Sequence, residues 1–220
     1  MIISIDKLLD KIKILREEYK SFLVAIDGHG ASGKSRLAKE LIRLDSQISL
    51  IHFDDFYFST NVDFGHSINL PEFDWRRLER EVLIPIKNGE NTQYQRFNWE
   101  LNKLDNWIDV KSETIVLVEG VSSMNSRIRD YFDFKIWVDC PLDIRLERAK
   151  ERDGIDTMEL WINDWIPREN NYVISDRPYE YTDIIIDGSG QKARLDKNEL
   201  FIVDIKSLDL KYLEKQSKLK

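Results

Sequence analysis

A three-layer α/β/α sandwich on a five-stranded, mainly parallel sheet is the fold class this chain predicts, and three observations carry it. Short apolar runs alternate with helical patterns along most of the chain. One of them, Phe22-Leu23-Val24-Ala25-Ile26, leads directly into the glycine-rich stretch Gly28-His29-Gly30-Ala31-Ser32-Gly33-Lys34-Ser35. Acidic residues stand where other apolar runs end. Strands separated by helices imply right-handed crossovers, which lay the strands parallel and put helices on both faces.

The elements follow in order. Ile5, Leu8, Leu9, Ile12 and Leu15 recur at spacings of three and four, predicting an amphipathic helix within 5–19 that packs on the sheet or covers its edge. Strand Phe22 to Ile26 is followed by helix Lys34 to Leu44, strand Ile48 to Phe53 and helix Trp75 to Lys87. Strands Thr114 to Val118 and Phe134 to Val138 come next, then helices Leu142 to Arg152 and Thr157 to Asn171, and strand Thr182 to Ile186 closes the core. Thr92 to Ile108 breaks this rhythm with Tyr94, Arg96, Phe97, Trp99 and Trp107 among polar residues. It reads as an excursion over the cleft, within a substrate-side segment of about 56–110. The tail from Leu208, carrying Lys211, Lys215, Lys218 and Lys220, reads as a solvated helix.

The 220 residues fit a single domain, with 42% hydrophobic and 33% charged residues as in ordinary globular proteins. A formal net charge of −7 argues against a nucleic-acid partner. The lone Cys140 closes no internal disulfide and builds no zinc site; it reads as a small buried apolar residue. No run approaches the eighteen apolar residues of a membrane span, and the N-terminus lacks a signal peptide's apolar core, so a cytoplasmic protein with no membrane partner is expected. Homo-oligomerisation is left open.

Gly28 to Ser35 fits the phosphate-binding pattern G-x-x-x-x-G-K-[ST], in the strand-to-helix context that pattern needs. Gly28, Gly30 and Gly33 allow positive φ and close approach of the backbone to phosphate oxygens. The amides of Gly28, His29, Gly30, Ala31, Ser32, Gly33, Lys34, Ser35 and Arg36, with the positive end of the following helix, then hold the anion. Lys34 is placed to reach the β- and γ-phosphates, and the Ser35 hydroxyl to join a Mg²⁺ shell. The fold class is thereby that of the P-loop NTPases, with ATP or another nucleoside triphosphate and Mg²⁺ as cofactors.

Ligands of such sheets collect at the carboxyl ends of the strands. Asp54, in Asp54-Asp55-Phe56-Tyr57, can take the proton of a substrate hydroxyl or hold a metal-bound water, and the sequence leaves open whether it or Asp55 faces the cleft. Glu119, after Ile115 to Val118, stands where P-loop proteins carry an acid that binds Mg²⁺ or its water shell. Ser35, Asp54 and Glu119 are therefore the metal candidates. Arg145, Arg148 and Arg152 share one helical face leading into Asp153-Gly154, as in a lid (about 145–178) that closes arginines over phosphates; Arg148 and Arg152 are favoured. Catalysis is assigned to Asp54, Lys34, Arg148 and Arg152. Phe56, Tyr57, Tyr94, Phe97 and Trp99 are placed to sandwich a planar base, and Arg96 to hydrogen-bond it or a ribose. His29, His52 and His66 lack metal spacing and receive no catalytic role.

On these residues the chain resembles the uridine kinase family of P-loop kinases over roughly Phe22 to Gly188. That family shows a P-loop and then a strand closing in Asp-x-Phe-Tyr, matched by Asp54 to Tyr57. Phe73-Asp74-Trp75, Tyr94 to Trp99, Glu119-Gly120, the arginine-rich Asp143 to Asp153 and Tyr181 to Ile186 match further segments. The resemblance implies a kinase that phosphorylates a nucleoside 5′-hydroxyl, with Asp54 as base and Tyr57 touching the nucleoside. Ser59 to Leu70 diverges, the lid lacks a second basic run, and Trp161, Trp165 and Arg177 have no counterpart. Uridine and cytidine are the first acceptors expected, with pantothenate, a sugar or a nucleoside monophosphate as alternatives. A nucleotide-dependent switch without a small-molecule acceptor is the rival from another class.

Overall fold

The computed structural model describes residues 1–17, 19–57, 73–191 and 198–205. The divergent segment around Ser59 to Leu70, His66 and the lysine-bearing tail from Leu208 lie outside them.

Five strands are parallel: β3 (Ser49–His52), β6 (Ile115–Glu119), β2 (Phe22–Asp27), β7 (Phe134–Asp139) and β8 (Ile184–Asp187), adjacent in that order. These are the five expected from the apolar runs. Two further strands extend the β8 edge antiparallel, β9 (Glu199–Ile205) and then β1 (Ile2–Ser4), so the described sheet has seven strands. The Thr92 to Ile108 excursion is an antiparallel hairpin of β4 (Thr92–Asn98) and β5 (Lys103–Val110), with a register shift between Gln95 and Arg96.

Strand alternation divides the core. From β2, Phe22, Val24 and Ile26 face helices α1 (Ile5–Arg16) and α2 (Lys34–Leu44), where they meet Leu8, Leu9, Ile12, Leu37, Ala38 and Leu41. Leu23 and Ala25 face the other way, onto Leu78, Val82, Leu83 and Ile86 of helix α3 (75–87) and onto Tyr94 of the hairpin. Each buried leucine, isoleucine or valine among them contributes about 1.5–3 kcal/mol by leaving water.

Helix α4 (Leu142–Asp153) ends at Gly154, whose φ of 89° suits glycine. Helix α5 (158–176) then returns over the P-loop. Both α3 and α5 widen into a π-helical turn, Glu79–Leu83 and Trp161–Trp165, directly before an Ile-Pro pair. Proline has no N–H to give the preceding turn and its ring crowds the carbonyl four residues back, so local widening keeps each helix continuous. Among the described residues no helix is long and apolar enough to cross a membrane.

Candidate active site

Strand β2 delivers the chain into the loop at Asp27, and α2 starts at Lys34 behind Gly33, whose φ is 109°. Gly28 has φ 148°, and a Cβ there would lie 2.4 Å from the Val138 carbonyl oxygen of β7. Gly30 does not take a positive φ, contrary to expectation; Ala31 does, at 59°. Glycine is needed at 30 for space, because a Cβ would come within 2.6 Å of Glu169 Oε1 and 2.7 Å of the Trp161 ring. Gly188, just beyond β8, is equally tight: a Cβ there would stand 2.1 Å from the Ser32 carbonyl oxygen.

The loop borders a cavity of about 740 Å³, lined on this side by Gly30, Ala31, Gly33, Lys34, Ser35 and Arg36. Its residues fit a nucleotide phosphate group. Ser32 Oγ is buried without a hydrogen-bond partner, and nothing stands within 3.8 Å of where a Gly33 Cβ would be. Lys34 Nζ meanwhile donates to the carbonyls of Gly28 (2.8 Å) and His29 (2.7 Å).

Ser35 Oγ lies 3.1 Å from both carboxylate oxygens of Glu119, and His52 Nδ1 lies 2.6 Å from Glu119 Oε1. Burial acts to raise the Glu119 carboxyl, but the bond to His52 and the charge of Lys34 outweigh it, and its pKa falls below the usual value. Among the described residues there is no preformed cluster of three or more His, Cys, Asp or Glu able to hold a metal. An all-oxygen pair of Ser35 and Glu119, with Asp54 across the cavity, fits Mg²⁺, which keeps several waters and draws its remaining ligands from phosphates.

Asp54 and Asp55 part company in the tight 3₁₀ turn Phe53–Phe56, anchored by the buried rings of Phe53 and Phe56. Asp54 lines the cavity. Asp54 is exposed as a residue, yet partial removal of its carboxyl from water, and secondarily the charge of Glu119, raises its pKa. Asp55 instead accepts a 2.8 Å hydrogen bond from the Tyr94 hydroxyl. Arg77, buried beneath, ties turn and hairpin together by donating to the carbonyls of Asp55 and Gln95, each at 2.6 Å.

Tyr57 and Trp99 line the cavity with Phe73, their rings 4.4 Å apart. Phe56, Tyr94, Arg96 and Phe97 do not line it, and Phe56 and Phe97 are buried. Tyr94 is 1% exposed, stacked on Phe56, and Arg96 is exposed elsewhere. The register shift at Gln95/Arg96 breaks the two-residue alternation, so Phe97 rather than Arg96 joins Tyr94 on the inward face.

The arginine stripe divides as well. Arg148 and Arg152 line the cavity. Arg148 reaches the carbonyls of Ala31 (3.3 Å), Ser32 (3.4 Å) and Ser189 (2.8 Å), and Arg152 pairs with Asp153 at 2.8 Å. Arg145 is buried against Glu169, at 3.4 Å, off the cavity.

Several cavity residues escaped the sequence reading: Leu160, Trp161, Asp164, Trp165 and Glu169 of α5, and Val121. Their signal was the spacing of four linking Trp161, Trp165 and Glu169, which places them along one helix face. Asp27 was also passed over. Wholly buried, it accepts hydrogen bonds from the amides of Gly28 (2.6 Å), Met124 (2.9 Å) and Ser122 (3.2 Å) and from the Tyr172 hydroxyl (2.6 Å).

His29 sits in the loop beside Trp137, and its pKa is lowered to about 4 by burial first, then by the charges of Arg145 and Lys34. An unfolded ring takes up its proton near pH 6.5 while the folded ring stays neutral until about pH 4. The stability this ring contributes is thus present above pH 6.5 and lost as the pH falls toward 4. Following the ring protons by NMR is expected to give a midpoint near 4 for His29; a midpoint at 6 or above contradicts the burial described.

The model of the Phosphoribulokinase / Uridine kinase family matches residues 23–193. A uridine kinase of Clostridium perfringens is 29% identical over 216 residues, covering 88% of this chain and 99% of its own length. One from Borrelia duttonii is 27% identical over 183 residues, covering 76% of this chain and 87% of its own. Among solved structures, a possible uridine kinase from Bacillus stearothermophilus aligns with TM-score 0.59 at 19% identity, over 81% of this chain and 98% of the other. D-glycerate 3-kinase from Cryptococcus neoformans aligns with TM-score 0.54 at 10% identity, over 93% and 99%. These structural likenesses speak for the fold. With a family match across most of the chain and a phosphate loop set in the strand-to-helix context it requires, the protein belongs to the phosphoribulokinase/uridine kinase family of P-loop kinases, phosphotransferases that act on a hydroxyl group.

Proposed function

We propose that the protein transfers the terminal phosphoryl group of ATP to the 5′-hydroxyl of a pyrimidine nucleoside, uridine or cytidine. The observation that carries this reading is Asp54, whose carboxylate shares one cavity with the phosphate loop and with Tyr57, Phe73 and Trp99. Its pKa is raised, which makes it a stronger base toward the acceptor's proton than a free carboxylate. The aromatic residues offer faces against which a planar base stacks. The relatives called uridine kinases favour a nucleoside over the other acceptors.

In this reading Asp54 takes the proton of the acceptor hydroxyl as its oxygen attacks. Lys34, Arg148 and Arg152 carry positive charge beside the loop, where the transferring group gains negative charge. Ser35 and Glu119 would hold Mg²⁺, directly or through water, and the ion would offset the charge of the phosphates.

The test is ADP release from ATP and Mg²⁺ with a panel of nucleosides, nucleoside monophosphates, sugars and pantothenate. Stimulation by uridine or cytidine well above the rest is expected. Stimulation by another member alone replaces the acceptor, and slow turnover that no acceptor stimulates replaces the kinase reading with a nucleotide-driven switch.

A further inference from the structure

Glu169 is an acid seated at the amides of a loop built to hold an anion. It is 8% exposed, and Oε1 accepts the Gly30 N–H at 3.0 Å. Its second oxygen lies 3.4 Å from Arg145, itself buried with Nε unpartnered. On the same helix face Trp161 packs against Gly30, and the edge of Trp165 meets Trp161 at 5.1 Å between centroids. Burial raises the pKa of this carboxyl, against the pull of Lys34, the Gly30 amide and Arg145, and the charge of Asp54 adds to the rise.

We propose that Glu169 is an internal stand-in for nucleotide phosphate: its carboxylate holds the anion seat at Gly30 while the loop is empty, and the phosphates of an arriving nucleotide expel it, moving α5. One amide hydrogen bonds one acceptor well, and loop amides of this kind attract anions. A triphosphate brings several negative charges into a cavity that already holds the carboxylates of Asp54, Glu119, Asp164 and Glu169. Repulsion between a retained Glu169 and a neighbouring phosphate oxygen is strong where water is partly excluded. Release separates the arms α4 and α5, which Arg145 and Glu169 join, and withdraws Trp161 from the loop.

The inference rests on the nucleotide reading of the loop, and two measurements separate their failures. Glu169→Gln keeps an oxygen acceptor for Gly30 and removes only the charge. By titration calorimetry it is expected to bind the non-hydrolysable analogue AMP-PNP, with Mg²⁺, about fivefold or more tightly than the unmodified protein. Inorganic tripolyphosphate should gain similarly, because the phosphates displace the carboxylate. Equal or weaker binding by the variant overturns the stand-in while leaving the nucleotide reading intact; no binding by either protein overturns both.

The second measurement uses the unmodified chain and does not depend on the variant folding. Tripolyphosphate is expected to change the tryptophan emission, and Trp161→Phe to remove most of that change. Tripolyphosphate that binds without altering the emission overturns the proposal.

Discussion

Asp54→Asn is expected to lower turnover with the preferred acceptor by about 10²–10⁴-fold, the usual contribution of a positioned base, while the Kd for AMP-PNP with Mg²⁺ rises by no more than about twofold. Asparagine matches aspartate in shape but cannot take the proton. The turn that presents residue 54 is held by Phe53 and Phe56, both wholly buried, and by Gly120, where a Cβ would meet Phe53 Cβ at 2.7 Å. The exchange therefore leaves the cavity wall in place. Asp55→Asn is the control: an oxygen still accepts from Tyr94, and turnover should fall less than about tenfold, the packed turn being kept. Coupled ADP release and calorimetry read the two quantities separately. If Asp54→Asn weakens nucleotide binding as much as it slows turnover, Asp54 serves the metal and its phosphates, and some other group takes the proton.

What could be read in the sequence was local. The P-loop is a contiguous motif, and the five parallel strands announce themselves as apolar runs. Glu119 and Asp54 stand at strand ends, which is where such sheets collect ligands. What escaped depends on long-range pairing or on small departures from regular geometry. Strand β1 forms only by pairing Ile2 with Phe201, and three residues carry no periodicity of their own. Arg96 does not share the face of Tyr94, as unbroken alternation would have it, because the hairpin slips register between Gln95 and Arg96. The pair Asp54/Asp55 could not be resolved by strand alternation because it lies past the strand, in a 3₁₀ turn, where the partner Tyr94 decides the matter. Gly188 and Glu169 press on the P-loop from segments more than 130 residues downstream, so the loop's own sequence holds no trace of them.

Asp27→Ala is expected to cost about 3 kcal/mol or more at pH 7.5, lowering Tm by about 10 °C, because it strands buried donors. The amides of Gly28, Ser122 and Met124 and the hydroxyl of Tyr172 all converge on this carboxyl, and its removal leaves the buried amides of Gly28 and Met124 without their acceptor. Tyr172→Phe withdraws a single donor and should cost about 1 kcal/mol. The pH dependence adds a second signature. Burial raises the Asp27 pKa to about 6 against the pull of its hydrogen bonds, so between pH 4 and 6 the folded chain keeps a proton that the unfolded chain has released. Stability from this group is therefore greatest below about pH 4 and declines as the pH rises through 6, by about 3 kcal/mol for a shift of this size. His29 works in the opposite sense, but it is present in both proteins and drops out of their difference. The gap between the unmodified chain and Asp27→Ala should consequently widen as the pH is lowered from 7 to 5. A gap below about 1 kcal/mol at both pH values means the donors find other acceptors, and Asp27 does not anchor the root of the loop.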